Sequence, residues 1–313
     1  MNDSLGRLGH RLAPQALPLA LVVVALAFAV AQPAFLKPEN LVGILRQSAL
    51  VGIMALAMTF VIMTGGIDLS VGPVLALSGL VAVFTLDAGQ PLPIALTAAL
   101  GVGLCIGIVN GALVACAGLP PIIVTLAMLS VVRGAALIVG GPGLHSIRGH
   151  EGYTFIGTGG LLGLPFPVWL FIGVALLMIF VQRMTPLGLK VAAIGENERA
   201  AYLSGHATHL TKMVAYGLCG VGAALAGVVQ SSQVHTAAAT YGEFGTELDV
   251  VAAVVLGGTS LSGGNGSMAR TVMGVMFLGV LNNGMNILNV PIDIQLIAKG
   301  AIIVLAMALA GVK

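Results

Sequence analysis

From Ala16 to Phe35 the chain runs for about 20 residues without a charged side chain, the length that carries a helix across the roughly 30 Å hydrocarbon layer of a bilayer. Similar windows recur near residues 47 to 64, 70 to 87, 92 to 117, 121 to 140, 165 to 182, 212 to 231, 249 to 262, 268 to 288 and 292 to 311. Only helices and closed barrels satisfy their own backbone in lipid, and apolar runs of this length suit helices. Composition agrees, because charged residues make up 8% of the 313 positions, against about 25% in a soluble domain, and so few charges could not coat a soluble globule. The formal net charge of +2 is scattered between apolar stretches, which excludes a nucleic-acid footprint. The expected fold is an all-α polytopic membrane protein of about ten transmembrane helices, one domain over residues 1 to 313.

The second, third and eighth windows are short or Gly-broken and read as interrupted or re-entrant helices. Arg7 and Arg11 ahead of an apolar run imitate a cleavable signal peptide, but further spans follow at once, so an uncleaved first span is expected. Cys105, Cys116 and Cys219 all sit in apolar runs without metal-binding spacing and read as small buried hydrophobes.

Orientation follows from the basic residues, which are retained in cytoplasmic loops. With residues 1 to 15 inside, the inner side holds Arg7, Arg11, Arg183, Lys190, Arg199, Lys212, Arg270 and Lys313, and both termini are cytoplasmic. The outer side keeps Lys37, Arg46 and Arg148, with Lys299 in the outer half of the last span. A faint repeat pairs Gly107-Ile108-Val109-Asn110 with Gly279-Val280-Leu281-Asn282, and Arg133-Gly134-Ala135 with Lys299-Gly300-Ala301. The copies lie five spans apart, and an odd separation inverts the second, a plan common in transporters.

Several motifs interrupt the apolar pattern. Ala99, Gly103, Gly107, Gly111 and Ala115 fall every four residues, aligning small side chains on one helix face for close packing. In Thr64-Gly65-Gly66-Ile67-Asp68-Leu69-Ser70-Val71-Gly72-Pro73, Asp68 or Ser70 caps the next helix or lines a solute path. Asn110 in the fourth span, and Asn282, Asn286 and Asn289 at i, i+4 and i+7 in the ninth with Asn283 beside them, offer amides either to neighbouring helices or to a hydroxylated solute. Arg133 and Lys299 are expected to snorkel outward; lining a pore or pairing with an acid is the alternative.

Residues 183 to 211 form the longest polar stretch between spans, and Gly195-Glu196-Asn197-Glu198-Arg199-Ala200-Ala201-Tyr202-Leu203-Ser204-Gly205 reads as one short helix within it. About nine residues of isolated helix are unstable in water, so either the bundle or a partner must hold it. Leu261-Ser262-Gly263-Gly264 resembles the signature loop of ABC ATPases, yet no GxxxxGK[ST] phosphate loop accompanies it, and it reads as a Gly-rich turn. His206 and His209 lack a third ligand nearby, so neither a metal nor a cofactor is expected.

Gly65-Gly66-Ile67-Asp68-Leu69-Ser70-Val71-Gly72, Thr185-Pro186-Leu187-Gly188 and Val254-Val255-Leu256-Gly257-Gly258-Thr259-Ser260-Leu261-Ser262-Gly263-Gly264 together resemble the permease subunits of ribose- and xylose-type ABC importers, part of the branched-chain amino acid/ribose permease superfamily. The likeness runs from about Leu41 to the end. It implies a bacterial inner-membrane permease that moves a monosaccharide inward, as a dimer with a second copy or a paralogue. A separate ABC ATPase would hydrolyse ATP, and an extracytoplasmic (periplasmic) sugar-binding protein would deliver the cargo. The likeness also implies that Gly195, Glu196, Asn197, Glu198, Ala200, Ala201 and Gly205 contact the ATPase. The candidate solute path is Asp68, Ser70, Asn110, Asn282, Asn283 and Asn286. Remaining alternatives are an ion-coupled secondary carrier, for which Asp68 is the one convincing buried acid, and a permease for autoinducer-2 or a branched-chain amino acid. No converging catalytic groups point to an enzyme.

Overall fold

The computed structural model describes residues 16–243 and 245–310, so the expected cytoplasmic segment 1–15, with Arg7 and Arg11, and Lys313 lie outside the described residues. Helices α1 (Ala16–Ala31), α2 (Pro38–Met63), α3 (Val71–Asp87), α4 (Leu92–Ala115) and α5 (Pro121–Gly140) come first, with a 3-10 turn at Pro33–Leu36. Then follow β1 (His145–Ser146), α6 (Glu151–Thr158), β2 (Gly160–Leu161), β3 (Leu164–Pro165), α7 (Phe166–Met184), α8 (Pro186–Glu196) and α9 (Glu198–Leu203). The chain continues through α10 (Thr208–Val234), β4 (Thr236–Ala237), α11 (Thr246–Leu256), α12 (Met268–Ile287) and α13 (Ile292–Ala310). The four strands among the described residues are two-residue pairings, β1 with β4 and β2 with β3, both antiparallel, and the described residues are otherwise helices and turns.

Proline sets many of the helix starts. Pro38, Pro121 and Pro186 occupy the first helical position, where the missing N–H costs nothing and the fixed φ suits the turn. Pro33 breaks the first apolar window, which closes at Ala31 rather than Phe35. The second helix starts at Pro38, nine residues before its window, and takes in Arg46, whose guanidinium donates to the distant Gly157 carbonyl on α6 at 3.0 Å. In the eighth window the helix, α11, stops at Leu256, short of residue 262, where Gly257 and Gly258 end it.

Among the described residues five helices, α2, α4, α5, α7 and α10, are long and apolar enough to cross a membrane. Helix α11 has 11 residues and covers only about 16 Å at the helical rise. Large apolar side chains face outward along the bundle, as Ile123, Val131 and Ile138 do on α5, which is the surface of an all-α membrane protein.

Helix α2 is buried without a break from Gly52 to Met63 and packs on α7, α10 and α12. In lipid that burial yields no transfer free energy of the kind water would provide, so close packing and hydrogen bonds must hold the helices together. The four-residue stripe on α4 supplies the packing. Gly103, Gly107 and Gly111 lie on α10 where a Cβ would strike the backbone of Gly220, of Tyr216 and Gly217, and of Met213. Away from that stripe, Cys105 and Cys116 are exposed, contrary to expectation, while Cys219 is buried in α10. Apolar character alone cannot separate a lipid-facing side chain from a core one.

Candidate functional site

Three polar clusters are set into the bundle. The first is the break between α2 and α3. Gly65 takes φ +80° to end α2, and the chain then turns through Asp68 into Ser70, the N-cap of α3. Neither Asp68 nor Ser70 caps by the expected side-chain bond to the first turn. Instead Asp68 Oδ1 accepts from the Ser70 backbone N–H at 2.9 Å and from Ser70 Oγ at 2.6 Å, while Asn110 Nδ2 donates to Ser70 Oγ at 2.9 Å and reaches both Asp68 oxygens at 3.4 Å. All three side chains are buried. Thr125 of α5 donates to the Ile67 carbonyl at 3.0 Å, so α4 and α5 both tie down the break. The arrangement is a clasp in which the carboxylate's bonds are made by neutral donors.

The second cluster lies half a helix away, toward the end where α2 begins. A cavity of about 280 Å³ opens between α2, α11, α12 and α13. Asn282 and Asn286 line it, as do Gln47, Ser48 and Gln295. Lys299 Nζ bonds Asp249 Oδ2 at 2.9 Å on its wall, so Lys299 turns inward to an acid rather than snorkelling outward. Arg133 does likewise: its guanidinium donates to the Ala239 carbonyl, to that of Tyr241 at 2.9 Å and to that of Gly242 at 3.3 Å, with Glu243 at 4.0 Å. A loop that presents several carbonyls satisfies a guanidinium better than a reach through hydrocarbon would.

The asparagine stripe divides. Asn283 leaves the cavity and pairs reciprocally with Asn40, at 2.9 and 3.0 Å. Asn289 falls beyond α12 with φ +54° and is not part of the helical stripe.

The third cluster is the polar stretch after α7, at the opposite end of α2. It forms two helices rather than one, because Asn197 breaks the run and caps α9, its side chain accepting from the Ala200 N–H at 2.9 Å. Gly195 and Glu196 close α8. Gly195 lies so near the Met63 carbonyl and the Gly264 N–H that a Cβ there has no room, and Gly264 N–H also donates to Met63 O at 2.9 Å. The Gly-rich turn after α11 and the break after α2 thus form one seat for α8. On α9, Ala201 is buried and Lys212 pairs Glu198 at 2.6 Å, whereas Glu196, Asn197, Ala200 and Gly205 are exposed together with Arg199, Tyr202 and Leu203.

Sequence reasoning missed Gln47, Ser48, Asp249 and Gln295 at the cavity. It also missed Gln182, which donates to Gly266 O and accepts from the Met268 N–H, each at 3.0 Å, fixing the start of α12. A single Ser or Gln on an apolar helix gives no signal until the facing helix is known. Among the described residues no three His, Cys, Asp or Glu converge on a metal-sized site.

The family described as branched-chain amino acid transport system / permease component matches residues 40–307. The ribose import permease protein RbsC of Bacillus subtilis (strain 168) is 40% identical over 292 residues, covering 93% of this chain and 90% of its own. RbsC of Escherichia coli (strain K12) is also 40% identical, over 92% of this chain and 91% of its own. The D-allose transport system permease protein AlsC of the same strain is 34% identical over 92% and 88%. No solved structure matches the chain significantly.

Proposed function

Since the chain belongs to the family of branched-chain amino acid transport system permease components, we propose that it is the membrane-spanning permease subunit of an ABC importer that carries a monosaccharide into the cytoplasm. The relatives are named for ribose, L-arabinose, galactofuranose and D-allose, and their likeness extends over nearly the whole chain. Such a subunit is not an enzyme; a separate ATPase hydrolyses ATP, and a substrate-binding protein delivers the solute.

The observation that carries the reading is α9. Six residues of helix cannot hold themselves in water, yet this one is held by Lys212 of α10 and through α8 by the breaks after α2 and α11, while its outer face stays open, with Tyr202 and Leu203 at 63% and 76% exposure. A push on α9 is therefore delivered to the start of α10 and, through α8, to two points where the bundle's helices are interrupted. That is how closure of an ATPase dimer would rock the helices and open the path alternately to either side.

In this reading α9 faces the cytoplasm and both termini lie inside. Arg183, Lys190, Arg199, Lys212 and Arg270 gather at that end, as the basic-residue rule requires. The subunit works as a dimer, with ten membrane segments arranged as an inverted repeat of five. Two matching contacts support the repeat: Gly107 of α4 lies against Tyr216 of α10, and its counterpart Gly279 of α12 lies against Ser48 of α2.

Reconstitution with the ATPase and the binding protein in liposomes tests the reading. Monosaccharide uptake is expected to require all three components and ATP; uptake that persists without the ATPase, or that follows an ion gradient, overturns it.

A further inference from the structure

We infer that the cavity between α2, α11, α12 and α13 is a binding station for the uncharged, polyhydroxylated solute, built within a single permease chain. The inference rests on the reading that this chain carries a monosaccharide. It is carried by two unpartnered atoms: Ser48 Oγ and Asn282 Oδ1 are both buried without a hydrogen-bond partner, and both residues line this one cavity. Ser48 is 2% exposed. An unpaired buried hydroxyl destabilises the chain, and alanine at position 48 would relieve that at no cost to the helix. A solute hydroxyl, which both donates and accepts, satisfies either atom.

The rest of the wall fits the same chemistry. Lys299 and Asp249 neutralise each other at 2.9 Å, so among the described lining residues no free charge remains for an anion or a cation. Gln295 donates to Asn286 Oδ1 at 2.8 Å, which orders amides beside the mouth. Between these polar groups Val51, Val275 and Leu278 present apolar surface suited to the C–H face of a sugar ring. About 280 Å³ lies at the small end of small-molecule sites, where a single sugar ring belongs and a disaccharide does not. Asp68, Ser70 and Asn110 have no part in the station, since none of them lines the cavity and they bind one another at the α2–α3 break.

The test uses the complete importer in liposomes with whichever of D-ribose, L-arabinose and D-allose the wild type takes up fastest. Asn282→Ala is expected to lower that uptake roughly tenfold, the loss of about one hydrogen bond, while ATP hydrolysis stimulated by the binding protein persists. In a C105S/C116S background, Ser48→Cys is expected to react with a small water-soluble thiol reagent, and the same sugar is expected to slow that reaction where L-leucine does not. Should Asn282→Ala fail to fold, the Ser48→Cys protection decides alone. Wild-type uptake with unchanged Asn282→Ala rates, or absence of sugar protection, overturns the station and leaves the importer reading standing. Protection by leucine in place of sugar also overturns it. A wild-type complex that takes up no monosaccharide overturns both.

Discussion

Gly103 on α4 and Gly220 on α10 meet backbone to backbone: a Cβ on either residue would run into the carbonyl oxygen of the other. Because lipid removes the hydrophobic drive between helices, this approach is where the central helix pair gains its packing. Gly103→Ala is expected to cost roughly 1–3 kcal/mol through overpacking and to lower the thermal midpoint in detergent. Gly101→Ala, two residues away with nothing within 4 Å of its Cβ, is expected to hold or slightly raise the midpoint, since alanine is the better helix former. Equal midpoints for the two variants would mean that the stripe does not organise the bundle.

That stripe is legible in sequence because its four-residue period repeats the helix surface, and the helices themselves are legible because charge is kept out of them. What escapes is any feature set by two distant segments. Ser48 matters through Asn282, 234 positions away, and Lys299 turns inward only because α11 brings Asp249 beneath it. Cys105 and Cys116 point away from the bundle although their neighbours are as apolar as those of buried Cys219, since hydropathy does not separate lipid from core. The single helix expected from Gly195 to Gly205 fails at Asn197, a strong cap residue whose meaning as a start in mid-run shows only in the backbone.

The Asp68 clasp makes a graded prediction. Asp68→Ala strands the Ser70 N–H and hydroxyl in a buried site, at about 1–3 kcal/mol for each group. Asp68→Asn keeps a carbonyl acceptor at the same place, so thermal midpoints are expected to fall in the order wild type, Asn, Ala. Uptake by Asp68→Asn is expected to stay ATP-driven. If a folded Asp68→Asn complex loses transport while still hydrolysing ATP, the carboxylate moves a proton and the clasp reading is wrong.

For α9 the prediction separates folding from coupling. Tyr202→Ala and Leu203→Ala remove exposed side chains and are expected to leave the permease's midpoint within about 0.5 kcal/mol of wild type. Co-purification of the ATPase is expected to be lost. Gly195→Val should do the reverse, forcing α8 off Met63 and Gly264: the ATPase stays bound, and ATP hydrolysis no longer drives uptake. Retained co-purification in the Tyr202→Ala, Leu203→Ala double variant would place the docking surface elsewhere.

Helix α6, eight residues long and too short to span, is pinned to the end of α10 by the Tyr153 hydroxyl, 2.6 Å from Ser231 Oγ. Burial pushes the Tyr153 hydroxyl up to about 12 from its ordinary value near 10. The folded value lies above the unfolded one, so this stabilisation is complete below about pH 10 and is lost as pH climbs toward 12. Tyr153→Phe is expected to cost about 1 kcal/mol at pH 8 and to flatten the alkaline decline in thermal midpoint. A decline as steep as wild type would assign the alkaline sensitivity to another group.

Asn40 and Asn283 exchange hydrogen bonds in both directions, so a double-mutant cycle isolates their interaction. Side-chain hydrogen bonds between helices of a membrane protein average about 0.6 kcal/mol and reach about 1.7. A reciprocal amide pair uses two bonds at once, which places the expected coupling toward the upper value. Asn40→Ala alone should cost more than Asn283→Ala, because the Asn40 amide also donates to the Phe35 carbonyl at 2.8 Å and holds the turn between α1 and α2. Were Asn283 instead a wall of the solute path, Asn283→Ala would slow uptake without changing the thermal midpoint, and the coupling energy with Asn40 would vanish.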